Sequence, residues 1–285
     1  MSERILFIVN PKSGTGKKRK ILSLLEAKTW NGRSFDLAYT TGPGHATTLA
    51  REAAGKGYNV VVAVGGDGSV NEAGKGLKNT ALVLGILPAG SGNGLARHLG
   101  ISMDPTKALD IIFTGKNKRI DTGTLNGTFF AGIAGLGLDA HIADSFARFG
   151  KRGFSSYARV FLKEFPRYKA RRYQIGDKTY QALLITFANS SQFGNNAIIS
   201  PKSDVSDGQL ECCIVSPLPV YRVPGMLRAL FKGKLEKQDG YRSFPFEKLE
   251  IQHPGGPAHV DGEPLNTGEK ISVECHKESL WVRTP

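Results

Sequence analysis

Cysteine is scarce in this chain: three in 285 residues, two adjacent (Cys212, Cys213) and one distant (Cys275). That number and spacing exclude a disulfide framework and supply no metal-ligand pattern, so a reducing, cytosolic setting is the expectation. Long apolar runs are missing too. Before residue 100 such runs, Val60–Val64 among them, stop at five residues, far short of the roughly 20 a spanning helix needs. The opening MSERILFIVNP lacks a basic stretch followed by a long apolar one, so no secretory signal is expected. Acids are few against bases, 25 to 38, which leaves a formal charge of +13. Such an excess implies an anionic partner: nucleic acid, a phosphate-bearing ligand or a membrane surface. Composition does not choose between them.

What is present is a globular chain rich in turns, with 40% hydrophobic residues and 35 glycines. At about 100–200 residues per domain, its length predicts one large domain or two. The first 100 residues repeat a β-rich run, a glycine-containing loop and a helical stretch four times. The runs open at Ile5–Val9, Ser34–Thr40, Asn59–Val64 and Ala81–Leu87, and the loops are NPKSGTG, TTGPGH, GGDG and PAGSGNG. Strands alternating with helices predict a parallel sheet covered on both faces, whose strand-to-helix loops all lie at the ligand-binding carboxyl edge.

After about residue 120 the pattern becomes antiparallel. Ile120–Leu125 and Thr128–Ala131 flank Asn126-Gly127, a strong hairpin signal. Tyr173–Gly176 and Lys178–Phe187 flank a second turn, and Gln209–Val215, Leu249–Gln252, Ala258–Val260 and Ile271–Cys275 add strands. Helical insertions are expected near Phe154–Phe165 and Val223–Phe231. The expectation is therefore an α/β domain, doubly wound, over 1–122, and a β-sandwich over 123–285 whose last strand returns to the first domain, with a cleft between them.

Three loops carry chemistry. Gly65-Gly66-Asp67-Gly68 leads into Ser69 and Glu72, whose spacing is that of a capping box. Glycines let a phosphate approach bare backbone N–H groups, and a helix start favours anions. Turning and capping alone would explain this loop equally well. Asn10-Pro11-Lys12-Ser13-Gly14 and Leu87–Gly94 are the other two. A Walker A loop is excluded, because Gly16-Lys17 is followed by Lys18 and Pro11 stands where the first glycine belongs. Gly132–Gly137 has the wrong order for a dinucleotide fingerprint and reads as a strand-end turn.

Together NPKSG (10–14), GHATTLA (44–50), GGDGSVNE (65–72), LPAGSGNGLAR (87–97), IDTG (120–123), SDVSDGQLE (203–211) and VDGEP (260–264) resemble the diacylglycerol kinase catalytic family, which includes sphingosine and ceramide kinases and bacterial lipid kinases. The resemblance implies a lipid kinase using ATP and Mg²⁺. It places ATP on Asn10, Pro11, Lys12, Ser13, Gly14, Thr40, Gly66, Asp67, Gly68, Ser69, Val70, Asn71, Glu72 and Ser91. It implies Glu263 as the base that takes the proton of the lipid hydroxyl, with Asp67 as the competing candidate. On the residues alone, Asp261-Gly262 is a hairpin turn and Glu263 a solvated neighbour. Asp121 is expected to help Asp67 hold a catalytic Mg²⁺. Asp207, with Asp204 and Gln209 through backbone oxygens, is expected to form a structural Mg²⁺ site; an Asp-Gly turn before a strand is the plainer alternative.

Diacylglycerol is the first acceptor implied and a sphingoid base the second, since Gly94 stands where bacterial diacylglycerol kinases carry Asp. NAD phosphorylation shares GGDG, and a non-catalytic basic module would account for the charge alone. Lys12 and Lys17–Lys20 supply five positive charges, and Arg148–Arg172 holds nine bases and one acid. In that second segment Phe154, Tyr157, Ala158, Phe161, Leu162 and Phe165 share a helical face. This suits a cytoplasmic enzyme meeting an anionic membrane transiently, without nucleic acid, and it suits a helix packed on the sandwich as well. The oligomeric state stays open, a homodimer included.

Overall fold

The computed structural model describes residues 3–11, 17–27, 34–148, 159–161 and 163–285. The chain divides into two compact units, Met1–Ile120 with Glu278–Pro285, and Asp121–Lys277.

The first unit is built on parallel strands β1 (Arg4–Val9), β2 (Ser34–Tyr39), β3 (Val60–Gly65) and β4 (Val83–Pro88). Their order is β2-β1-β3-β4. Beyond β4, Trp281 and Val282 of the last strand pair in parallel with Val83 and Leu84. Every residue of β3 and β4 is buried, as expected of central parallel strands covered on both faces. The edge strand β2 is mostly exposed.

Helices α1 (Lys17–Ala27), α2 (His45–Ala53), α3 (Asp67–Leu77), α4 (Gly94–His98) and α5 (Pro105–Thr114) connect the strands. α2 packs on α3 and α1 on α5. The first pair meets closely because Gly76 has no side chain: a Cβ there would lie 2.6 Å from the Thr47 carbonyl oxygen. α5 starts where a sequence rule predicts. Asp104 accepts from the N–H groups of Thr106 (3.0 Å) and Lys107 (3.1 Å), and Pro105 occupies the first helical position.

The second unit begins within β5 (Lys116–Leu125), which forms a hairpin with β6 (Thr128–Phe130). Asn126 and Gly127 turn it with φ of 47° and 77°, the left-handed pair that a tight hairpin requires. β7 (Ile133–Gly137) runs into α6 (Leu138–Arg148). β8 (Arg171–Ile175), β9 (Lys178–Ala182), β10 (Leu184–Ala188) and β11 (Leu210–Val215) come next. α7 (Val223–Phe231) has the bounds that its periodicity predicts. β12 (Tyr241–Phe246), β13 (Lys248–Gln252), β14 (Gly256–Val260), β15 (Glu263–Thr267) and β16 (Lys270–Thr284) complete the chain.

One sheet has the order β12-β11-β10-β7-β14-β15 and is antiparallel throughout. Facing it, β13 pairs with β8 and with residues 270–274 of β16. Phe187, Leu136 and Ile214 from the first sheet share one core with Tyr173, Ile251 and Val273 from the second. This is a β-sandwich.

Two readings of this half need correction. Gly132 is a bend, but Ile133–Gly137 is not a turn: it is β7, a fully buried central strand, with no side chain at Gly135 because the buried Asp139 and His259 side chains fill that space. The run Lys178–Phe187 is two strands, broken at Leu183, where the chain leaves β8 and enters the other sheet beside β7 and β11. The expected helix face Phe154, Tyr157, Ala158 and Leu162 lies outside the described residues, as do Lys12, Ser13 and Gly14. Among the described residues no helix is long and apolar enough to cross a membrane.

Candidate active site

In the first unit the carboxyl ends of β1, β3 and β4 gather the glycine-rich loops. Asn10 follows β1, and its Nδ2 donates to Ser69 Oγ at 3.4 Å. β3 ends at Gly65, Gly66 caps α3 in an extended conformation, and Asp67 is the first helical residue. The Asp67 carboxylate reaches across to the loop after β4. Its Oδ2 accepts from the Asn93 N–H at 2.8 Å and its Oδ1 from the Gly94 N–H at 2.7 Å. Gly66 and Gly90 touch backbone to backbone: a Cβ on Gly90 would stand 2.5 Å from the Gly66 Cα.

The second loop is braced internally as well. Asn93 sits in the left-handed region (φ 54°) and is 5% exposed. Its Oδ1 accepts from the Gly90 N–H at 3.2 Å, and its Nδ2 donates to the Gly90 carbonyl at 2.8 Å. Arg97 Nε donates to the Gly92 carbonyl at 3.1 Å. Ser91 is exposed on this loop, and Val70, in the first turn of α3, is buried. Thr40 is buried, its N–H donating to the Val9 carbonyl at 3.0 Å.

Ser69 and Glu72 do not form a capping box. The helix begins at Asp67, so Ser69 already lies within its first turn and no side chain caps the start. Glu72 instead serves a different helix. Its Oε1 accepts from the Gly44 N–H at 2.9 Å and its Oε2 from the Ala46 N–H at 3.1 Å, at the start of α2. The Thr47 hydroxyl returns a bond to the Glu72 carbonyl at 2.8 Å. A carboxylate on unsatisfied N-terminal amides is favourable wherever it comes from.

In the second unit Asp121 is fully buried. Its Oδ2 accepts from the Gly208 N–H at 2.7 Å, and its own N–H donates to the Val205 carbonyl at 2.6 Å. It therefore braces the 204–209 turn. Within that turn Asp204 Oδ1 accepts from Ser206 N–H (3.0 Å) and Oγ (2.7 Å), and Asp207 Oδ1 accepts from the Gln209 N–H (3.0 Å). Asp204 and Asp207 are exposed. Among the described residues no group of three or more His, Cys, Asp or Glu side chains is gathered around one point.

Glu263 is exposed at the first position of β15, paired with Val260 across a hairpin. The turn itself is Asp261 (φ 47°) and Gly262 (φ 84°). Asp261, read from the sequence as a turn residue only, and Asn189 and His259, which sequence reasoning passed over, brace this turn or its surroundings. The Asp261 carboxylate accepts from the N–H groups of Ala131, Gly132 and Ile133, each at 2.9 Å. Asn189, fully buried, donates from Nδ2 to the carbonyls of Asp121 and Ala131, each at 2.7 Å. His259 lies buried two residues before Asp261. These links span up to 130 residues, so no local pattern announces them.

Bare glycine backbone, small hydroxyls and a helix start at the carboxyl edge of a parallel sheet are the kind of arrangement that can receive a phosphate-bearing ligand. Comparison with known proteins makes the class specific. Residues 4–125 match the diacylglycerol kinase catalytic domain, and residues 132–282 match the YegS C-terminal NAD kinase beta sandwich-like domain. The chain is 32% identical over 245 residues to a Chromohalobacter salexigens protein named "Probable lipid kinase YegS-like", covering 82% of this chain and 78% of that one. It is 28% identical over 273 residues to a Mycobacterium tuberculosis protein named diacylglycerol kinase, covering 91% of this chain and 88% of that one. A crystal structure of a diacylglycerol kinase from Bacillus anthracis str. Sterne shares the fold, with TM-score 0.72 and 21% identity over 99% of this chain and 97% of that one. The chain belongs to the diacylglycerol kinase and YegS-like family of lipid kinases.

Proposed function

We propose that this kinase transfers the γ-phosphoryl group of ATP to a hydroxyl of a membrane lipid, with diacylglycerol as the first acceptor. The observation that carries this reading is the grip of Asp67 on the Asn93 and Gly94 amides. It ties the GGDG segment to the GSGN loop, so that two stretches of bare backbone present together. Phosphoryl transfer asks a protein mainly to position the triphosphate and stabilise its charge. Backbone N–H groups and small hydroxyls at strand ends supply that. The nucleotide residues are Asn10–Gly14, Thr40, Gly66–Glu72 and Ser91.

The acceptor hydroxyl must lose its proton as the new P–O bond forms, and Glu263 is the proposed base. Its exposure at a hairpin end leaves its carboxylate accessible to a substrate. Asp67 suits the role less well, because both its oxygens already hold main-chain N–H groups. It suits an anchor for the loop better.

Mg²⁺ is the expected ion, supplying charge neutralisation on the triphosphate when bound with it. The 204–209 turn fits a second, structural Mg²⁺ by the chemistry of its donors: Asp207 by side chain, and Asp204 and Gln209 by backbone oxygens, all hard oxygen ligands at short spacing. Asp121 shapes that turn through Gly208. The enzyme would meet its lipid at an anionic surface, where the bases Arg159, Lys163, Arg167, Lys169, Arg171 and Arg172 give favourable attraction.

A sphingoid base is the second reading, favoured by Gly94, whose amide serves Asp67 where an Asp side chain would otherwise stand. The test offers γ-labelled ATP and Mg²⁺ with vesicles containing diacylglycerol, with vesicles containing a sphingoid base, and with NAD. Label in phosphorylated diacylglycerol supports the proposal, and label in the sphingoid base supports the second reading. Label in NAD alone, or in none, overturns both.

A further inference from the structure

We infer that His259 is a positioning residue for the Asp261–Glu263 turn, locked in one tautomer by Asp139. This rests on the reading of Glu263 as the base. His259 lies on β14, opposite Gly135 of β7 and Pro264 of β15. It is 4% exposed, and Asp139, in the first turn of α6, is 5% exposed. A buried carboxylate is costly unless it is paired and hydrogen-bonded. Asp139 Oδ1 accepts from the Ala140 N–H at 2.8 Å, and its Oδ2 accepts from the Thr186 hydroxyl at 3.2 Å and faces His259 Nε2 at 3.2 Å.

The strand beside the pair is cut back to admit it. A Cβ on Gly135 would stand 2.2 Å from Asp139 Oδ2 and 2.7 Å from His259 Nε2. Two buried polar side chains thus take the place of one on β7, which explains why that strand is so small.

An ionised carboxylate only accepts, so the proton facing Asp139 must sit on His259 Nε2. In the neutral ring Nδ1 is then an acceptor. It is used: the Gly262 N–H donates to His259 Nδ1 at 3.4 Å. The hairpin turn is therefore held at two points. Asp261 fastens it to the amides of residues 131–133, and His259 receives the amide of the residue just before Glu263. Asp139 sets which ring nitrogen faces that amide.

The two ring nitrogens can be separated by substitution. In His259→Asn the side-chain oxygen falls near the place of Nδ1 and can accept from Gly262. In His259→Gln the longer amide falls near the place of Nε2 and can donate to Asp139. His259→Gln is expected to keep its Tm, to lose hydrogen-exchange protection at the Gly262 amide, and to lower kcat roughly 10- to 100-fold with KM for ATP unchanged, the scale of a misplaced reacting group. His259→Asn is expected to do the reverse: Gly262 protection and kcat near the parent, Tm reduced because Asp139 loses its donor. Loss of kcat in step with Tm in both variants, or parental Gly262 exchange in His259→Gln, would overturn the inference. Glu263→Gln is measured beside them. Full activity in that variant removes the base assignment, while Gly262 exchange still decides whether His259 holds the turn.

Discussion

The Asp67 carboxylate holds the Gly94 amide at 2.7 Å, and with its other oxygen the neighbouring Asn93 amide at 2.8 Å. One side chain thereby joins two loops that the chain separates by more than 20 residues. Asp67→Asn can replace only one of these bonds, because its NH₂ group faces the second N–H. A hydrogen bond to a charged group contributes about 1.5–3 kcal/mol, so Asp67→Asn should lose about that much stability in urea unfolding. Nucleotide affinity should fall with it, since the loop is no longer held. Parental stability would show that the clamp is not made in solution.

Glu72 makes an analogous link between helices. Glu72→Ala leaves the Gly44 and Ala46 amides of α2 without their carboxylate. Loss of a helix N-cap costs about 1 kcal/mol, and that is the expected drop in unfolding free energy. Were Glu72 acting within its own helix instead, the exchange rates of the Gly44 and Ala46 amides would not change. They are expected to rise.

Glycine 90 is needed for space. Gly90→Ala sets a Cβ 2.5 Å from the Gly66 Cα, a contact between backbones that neither loop can relieve by a rotamer change. Gly42→Ala places its Cβ where nothing lies within 4 Å. Gly90→Ala should lose ATP binding by calorimetry while Gly42→Ala binds normally. Equal affinities would separate the GGDG–GSGN contact from nucleotide binding.

Glu211 gives a pH test. Burial raises its carboxyl above the usual value, and Oε2 has no hydrogen-bond partner among the described residues. A raised carboxyl favours the neutral form in the folded state, so this group costs stability above its folded pKa. That cost disappears as pH falls through the unfolded value near 4.5. Glu211→Gln should therefore raise Tm at pH 7, in EDTA to exclude divalent cations, and the gain should vanish by about pH 4. A gain of constant size across that range would contradict the burial argument.

Local patterns carried much of the fold. The turns at Asn126-Gly127 and Asp261-Gly262 announce themselves because few residues other than Gly, Asn and Asp accept positive φ. Val223–Phe231 is legible from its period, and the parallel sheet from alternation of strands and helices. Legibility ends where a side chain acts at a distance. The S-x-x-E spacing of Ser69 and Glu72 is real, but Gly66 starts the helix three residues earlier than a box requires, and Glu72 turns to α2. Gly132–Gly137 looks like a turn because its glycines serve Asp139, Asp261 and Ser190, residues contributed by other segments. Likewise nothing near Asp261 in sequence foretells three amides 128–130 residues away.

In the proposed reaction a lipid hydroxyl is phosphorylated from ATP with Glu263 taking its proton. Its most direct test measures label transfer from γ-labelled ATP to diacylglycerol in vesicles, for the parent and for Glu263→Gln, with ATP binding measured on both. Transfer by the parent is expected, with a loss of roughly 100- to 10,000-fold in kcat for the variant, the contribution of a general base, and ATP bound equally well. Transfer by Glu263→Gln at the parental rate would contradict it.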